Sequence, residues 1–143
     1  MNLTEHFTLE ELIHSTTAQK YSINNTPNKY IISNLTSICK YVMEPIRQRY
    51  GKPIIVTSGY RCPRLNALVK GASTSQHTAG TAIDFRPKEA KDIKLLWNII
   101  VDMLEKGEIE CRQLIDEYNL SWIHISINDK HHGYRKNQIL HIK

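Results

Sequence analysis

The segment SWIHISI, residues 121–127, alternates without a break: Ile123, Ile125 and Ile127 fall on one side, Trp122, His124 and Ser126 on the other. A period of two is the signature of an extended strand. Three isoleucines on one face need a core to bury them. The opposite face then presents His124 rigidly. TAIDF, residues 81–85, alternates in the same way, with Ile83 and Phe85 on one side and Ala82 and Asp84 on the other. The chain is therefore expected to build a sheet with one apolar face and one face that carries an imidazole and a carboxylate.

Helical spacing supplies what covers the apolar face. Ile31, Leu35, Ile38, Cys39, Val42 and Ile46 predict one long helix over about residues 28–50, perturbed late by Pro45 and stopped at Gly51. Ile93, Leu96, Trp97, Ile100, Met103 and Leu104 predict a second amphipathic helix, starting at Pro87 and ending near Gly107. Thr8 and Glu11 have the spacing of a capping box, which marks a short first helix. Pro63 opens another short helix, PRLNALV. The β-branched run Ile54–Val56 and the segments QLID and QILHI read as further strands, with a turn near Asn119. Strands and helices are mixed without regular βαβ alternation. The expected fold class is α+β, a small antiparallel sheet with helices packed on one side, in a single domain over residues 1–143.

Several function classes are disfavoured early. A net charge of +5 permits an anionic partner such as nucleic acid or a wall polymer, but no nucleic-acid motif accompanies it, and none is expected to bind. The three cysteines, at 39, 62 and 111, include no CxxC pair, so neither a disulfide framework nor a cysteine zinc knuckle is expected. There is no P-loop, no GxGxxG and no helical HExxH. No apolar stretch approaches a membrane span. The segment MNLTEHFTLEEL is acidic and polar where a signal peptide would be basic and then apolar. The expectation is a chain made in a reducing cytoplasm, with no membrane partner, acting as a monomer.

The stretch SQHTAGTAIDF, residues 75–85, places His77 and Asp84 seven positions apart, with Ala79 and Gly80 letting the chain fold back between them. Together with His124 they form a set that suits zinc, which accepts imidazole nitrogen and carboxylate oxygen. Three protein ligands leave a fourth position for water, the arrangement of a catalytic site. The same residues also admit a plainer reading. A strand histidine is commonly just hydrogen-bonded, and Asp84 could cap the helix expected at Pro87. His131 and His132, adjacent in a polar loop, read as solvated, and His6, His14 and His141 are scattered.

At this point the chain resembles a known family. Ser75, His77, Gly80, Ala82 and Asp84, followed at a distance by Trp122 and His124, are similar to the S-x-H-x-x-G-x-A-x-D and W-x-H signature of the M15 zinc D-alanyl-D-alanine peptidases. SGYRCPRLN, residues 58–66, resembles that family's SGYR segment. LTEHFTLEELIHSTTA and MEPIRQRYGKPIIV look like the N-terminal half of a compact phage- and bacteria-associated branch. The resemblance implies a hedgehog/DD-peptidase type of fold and an enzyme that cleaves peptidoglycan stem peptides. It implies His77, Asp84 and His124 as ligands of Zn²⁺ and Arg61 as the arginine that steadies substrate. It further implies that Ser75 and Gln76 bind substrate or orient His77. Trp122, an aromatic beside the His124 strand, is read separately as lining the cleft, against the plainer reading of a core residue.

The general base follows less directly. Many relatives place a Glu three residues before the last histidine, where this chain has Ser121. The branch it resembles keeps an acid after a QLI strand, and QLIDEYNLSWIH offers Asp116 and Glu117. Glu117 is the choice, for reach and residue type, and Asp116 the fallback. On an alternating strand only one of them can face a metal. If neither does, the domain is expected to hold zinc without turnover, as a wall-binding or phage structural module. Otherwise a zinc metallopeptidase is expected, a carboxypeptidase or an endolysin-type endopeptidase that reaches the wall after phage-type release.

Overall fold

A computed structural model describes all residues, Met1–Lys143. Its centre is a five-stranded sheet in the order β1-β2-β4-β3-β5, formed by Ile54–Ser58, Ala82–Pro87, Gln113–Glu117, Trp122–Ser126 and Gln138–Ile142 in chain order. Helices pack on one side of it, giving an α+β fold. These are α1 (Leu9–Ile13), α2 (Thr16–Lys20), α3 (residues 29–50), α4 (Pro63–Leu68) and α5 (Ile93–Glu105).

Helix α3 consists of three consecutive segments, Lys29–Ile38, Cys39–Met43 and Glu44–Tyr50, the middle one a π-turn in which Glu44 N–H bonds back to the Cys39 carbonyl. Pro45 explains the wide turn. It has no N–H to give and its ring would clash with the carbonyl four residues back, so the helix loosens just ahead of it. Gly51, at φ +79, ends the helix in a left-handed cap. The capping box at Thr8 and Glu11 is present in full.

The alternation in the two central strands is realised as expected. Ile83, Phe85, Ile123 and Ile125 are fully buried against Leu35, Ile38, Val42, Ile46, Leu96 and Ile100 from the helices. Asp84 pairs directly with His124, and across the next strand pair Glu117 faces Trp122. Paired residues share a face, so Asp84, His124, Glu117 and Trp122 all lie on the face away from the helices.

Two expectations are corrected. The sheet is mixed, because β5 runs parallel to β3 while the other neighbouring pairs are antiparallel. After β4 the chain reverses, but both sides of β4 are already taken by β2 and β3. The last strand can pair only on the outer edge of β3, and there the reversal leaves it parallel. Pro87 does not start a helix. It is the last residue of β2, and α5 begins at Ile93 after a short 3-10 turn, Ala90–Asp92. Proline biases the residue before it toward extended backbone, so it prolongs the strand. No helix is long and apolar enough to cross a membrane.

One glycine links the fold to the site. A side chain on Gly59 would collide with the Leu12 backbone carbonyl, and the Gly59 carbonyl itself accepts a hydrogen bond from His77. Gly59→Ala is expected to destabilise the protein by about 1–3 kcal/mol, read by urea denaturation. Metal affinity should fall with it, since the segment just after β1 that orients His77 is displaced.

Candidate metal centre and its cleft

The turn that carries His77 is a single 3-10 segment, Gln76–Ala79, capped by the Ser75 hydroxyl, which accepts from His77 N–H, and ended by Gly80 at φ +71. His77 is buried, and its Nδ1 lies 2.7 Å from the Gly59 carbonyl oxygen. A carbonyl only accepts, so Nδ1 carries the proton and Nε2 presents its lone pair. That nitrogen lies 3.3 Å from Asp84 Oδ2, while His124 Nδ1 lies 2.7 Å from Asp84 Oδ1. The two rings meet edge to face at 5.3 Å. One ligand atom from each of His77, Asp84 and His124 falls within 4.8 Å of the others.

The donor set fits a divalent metal ion. Two imidazole nitrogens and a carboxylate converge, one imidazole is fixed in tautomer by a backbone acceptor, and the third side of the group opens to the cleft. Electrostatics agree. Burial alone would raise the Asp84 carboxyl, but the His77 and His124 imidazoles outweigh it and hold the group well below the usual carboxylate range. Asp84 therefore stays ionised and available as a ligand. It pairs with a strand histidine and caps no helix.

The cleft above these residues has a volume of about 840 Å³ and is lined in part by Arg61, Glu117, Trp122, Tyr118, Arg112 and His132. Burial raises the Glu117 carboxyl above its ordinary value; Asp84 and Asp116 add to this and His124 opposes it. Asp116 lies on the other face, where its carboxylate accepts from Leu120 N–H and meets His141. Of the two acids, only Glu117 faces the group formed by His77, Asp84 and His124.

Arg61 reaches the cleft from the loop after β1, its backbone N–H bonded to the His77 carbonyl oxygen. Its Nε is buried with no hydrogen-bond partner, and burial works against its charge while Asp84 supports it. A guanidinium so poorly compensated is ready to bind an acceptor brought by a ligand. Trp122 tilts onto Tyr118 at 5.2 Å. Gln76 points inward: its amide nitrogen donates to the Ile127 carbonyl at 2.7 Å and its oxygen accepts from Arg112 at 3.0 Å. Cys39 and Cys111 are buried, and burial pushes both thiols up to about 12, so neither supplies a nucleophile.

Reading the sequence missed the far end of the cleft. Asp129, whose side chain is 4% exposed, accepts from the Thr81 hydroxyl, the Gln76 amide and the backbone N–H groups of His131 and His132. His132 bridges Asp129 to the Thr74 carbonyl, at 2.8 and 2.6 Å. This hub fastens both ends of the His77 turn to the chain beyond β4. The Asp-x-x-His spacing in DKHH was its only trace in the sequence. Burial would raise the Asp129 carboxyl, but the hydrogen bonds from Thr81, His132, His131 and Gln76 prevail and hold it at about 2, against an ordinary 3.8. A carboxyl lowered on folding stabilises the protein above its unfolded value, and that stability is lost as pH falls through the folded value. Asp129→Asn is expected to lower stability by about 2 kcal/mol at neutral pH. Its deficit against wild type should close between about pH 4 and about pH 2, measured by chemical denaturation across that range. A second trio, Glu5, His6 and Glu44, also meets, but His6 N–H and Nδ1 already occupy the two Glu44 oxygens.

A family model described as Peptidase M15 matches residues 5–126. No curated protein matches the chain.

Proposed function

The chain belongs to the peptidase M15 family, and from that premise we propose that it is a zinc-dependent metallopeptidase hydrolysing amide bonds in peptidoglycan stem peptides. The observation that carries this reading is the meeting of His77, Asp84 and His124 in a cleft that also holds Glu117 and Arg61. When bound, Zn²⁺ supplies a Lewis acid for the scissile carbonyl and eases deprotonation of water.

The protein's own groups do the rest. Glu117 accepts the proton of the attacking water and returns it to the leaving amine, a task for which a raised carboxyl is suited at neutral pH. Arg61 donates to the oxygen on which negative charge develops, in a site where its charge is poorly compensated and therefore effective. Gly59 and Ser75 hold the His77 turn in register. Trp122 and Tyr118 offer an apolar wall for the substrate's aliphatic parts. In this reading the partner is the stem peptide, met by a monomer made in the cytoplasm and delivered to the wall by phage-type lysis, without nucleic acid or membrane.

The test is incubation of purified protein with synthetic stem peptides and with intact peptidoglycan, products read by mass spectrometry. Cleavage that a chelator abolishes and added Zn²⁺ restores is the expected result. Release of free D-alanine marks a carboxypeptidase, and fragments cut within the stem mark an endopeptidase. No cleavage of any stem peptide by the zinc-loaded protein would overturn the proposal.

A further inference from the structure

Arg112 stands just before β3, on the opposite side of the metal cluster from Glu117. Gln113 pairs with Ser126, Ile115 with His124 and Glu117 with Trp122. Each step of two residues along a strand is about 7 Å, so the metal ligands sit midway between an acidic, aromatic end and a basic end. The Arg112 guanidinium is held in place by its neighbours. Nε donates to the Gly133 carbonyl at 2.7 Å, and Nη1 donates to Gln76 Oε1 and Gln113 Oε1, each at 3.0 Å. Gln76 cannot swing away, because its amide nitrogen is bonded to the Ile127 carbonyl.

All three acceptors are neutral, so these contacts orient the guanidinium without compensating its charge, and Nη2 takes no part in them. Lys70 lines the same cleft and adds to the positive field. A fixed guanidinium that bonds no carboxylate directly and keeps Nη2 free is suited to receive an anion, and its planar fork matches a carboxylate. An extended peptide rises at about 3.4 Å per residue, so a group held at Arg112 belongs to a residue one or two positions from the bond at the metal.

Resting on the reading of this cleft as a stem-peptide site, we propose that Arg112 anchors a substrate carboxylate and so sets the direction in which the peptide lies. The carboxylate side of the substrate sits toward Arg112 and the other side toward Glu117 and Trp122. Two sources of carboxylate share this chemistry: the C-terminus of a leaving residue, and an acidic residue within the stem.

The experiment uses the full chain loaded with zinc and carrying Glu117→Gln, so that peptides bind without being cut. Calorimetry compares a stem peptide in its acid form with two derivatives, one amidated only at the C-terminus and one only at the internal acid. The expected result is that one amidation weakens binding about 10- to 100-fold, the effect of a charge-assisted hydrogen bond. Adding Arg112→Gln should weaken the acid form by the same factor and leave that amide unchanged. The amide that responds identifies the source. Equal weakening of all three peptides by Arg112→Gln, or none, overturns the proposal. Should that variant fail to fold, the Glu117→Gln protein decides alone: indifference to both amidations overturns it. If no stem peptide binds, the peptidoglycan reading falls, and acetate titration monitored at the Arg112 Nε–H resonance takes over. A saturable shift there, not reproduced by neutral acetamide, supports the carboxylate site, and no shift overturns it.

Discussion

Replacing Glu117 by Gln is expected to cut peptide turnover by about 10²- to 10⁴-fold while leaving about one metal ion per chain. Glu117 is the only one of the two neighbouring acids on the metal-ligand face, because a strand sends successive side chains to opposite sides and Glu117 pairs with Trp122. Glu117 also has its carboxyl raised, chiefly by burial, toward the range where it accepts a proton from water and still returns it to an amine. Its base form is the active one, so the acidic limb of the pH–rate profile should lie above where an ordinary glutamate would place it. In Glu117→Gln that limb should be lost along with the rate. Asp116→Asn should leave turnover within a few-fold of wild type, since that carboxylate serves the β3–β4 turn and His141. Stopped-assay kinetics with elemental mass spectrometry on the same samples check both statements. Full turnover in Glu117→Gln would remove the base from the mechanism. Metal retained with no turnover in the wild type would point to a wall-binding module.

His124→Ala should have the second largest effect: loss of bound zinc and of all metal-dependent cleavage. Two ligands cannot hold the ion as three do, and Asp84 loses the closer of its two imidazole partners, at 2.7 Å. The variant also separates folding from metal binding. Zinc that binds only the native state stabilises it by about 2.7 kcal/mol at a hundredfold excess over its dissociation constant. Wild type should therefore show a zinc-dependent rise in Tm, which His124→Ala should lack. Metal content and thermal unfolding with and without added zinc provide the check. Undiminished zinc in the variant would mean that His77 and Asp84 bind with some other third group, and the centre would have to be redrawn.

The sequence alone determined the parts of this protein that local periodicity controls. Strict alternation in SWIHISI and TAIDF announced two strands and put His124 and Asp84 on the faces opposite their buried neighbours, because a pleated backbone has a period of two whatever surrounds it. Helical stripes announced α3 and α5, and Pro45 announced a defect in α3, because a missing N–H is a local fact. The trio His77, Asp84 and His124 was legible for the same reason: two members lie in one short turn-and-strand unit and the third on a strand of matching pattern.

Tertiary structure decided whatever depends on which segments become neighbours. Whether Asp116 or Glu117 faces the metal follows from the register of β3 against β4, and that register is an agreement between two strands. The parallel pairing of β5 follows from the partners of β4 being already in place. Arg112, Gln76, Asp129 and His132 are spread over 57 positions of the chain and share no pattern. They meet because the segment after β4 folds back across the start of β3, and long-range closure of that kind is set by packing of the whole chain.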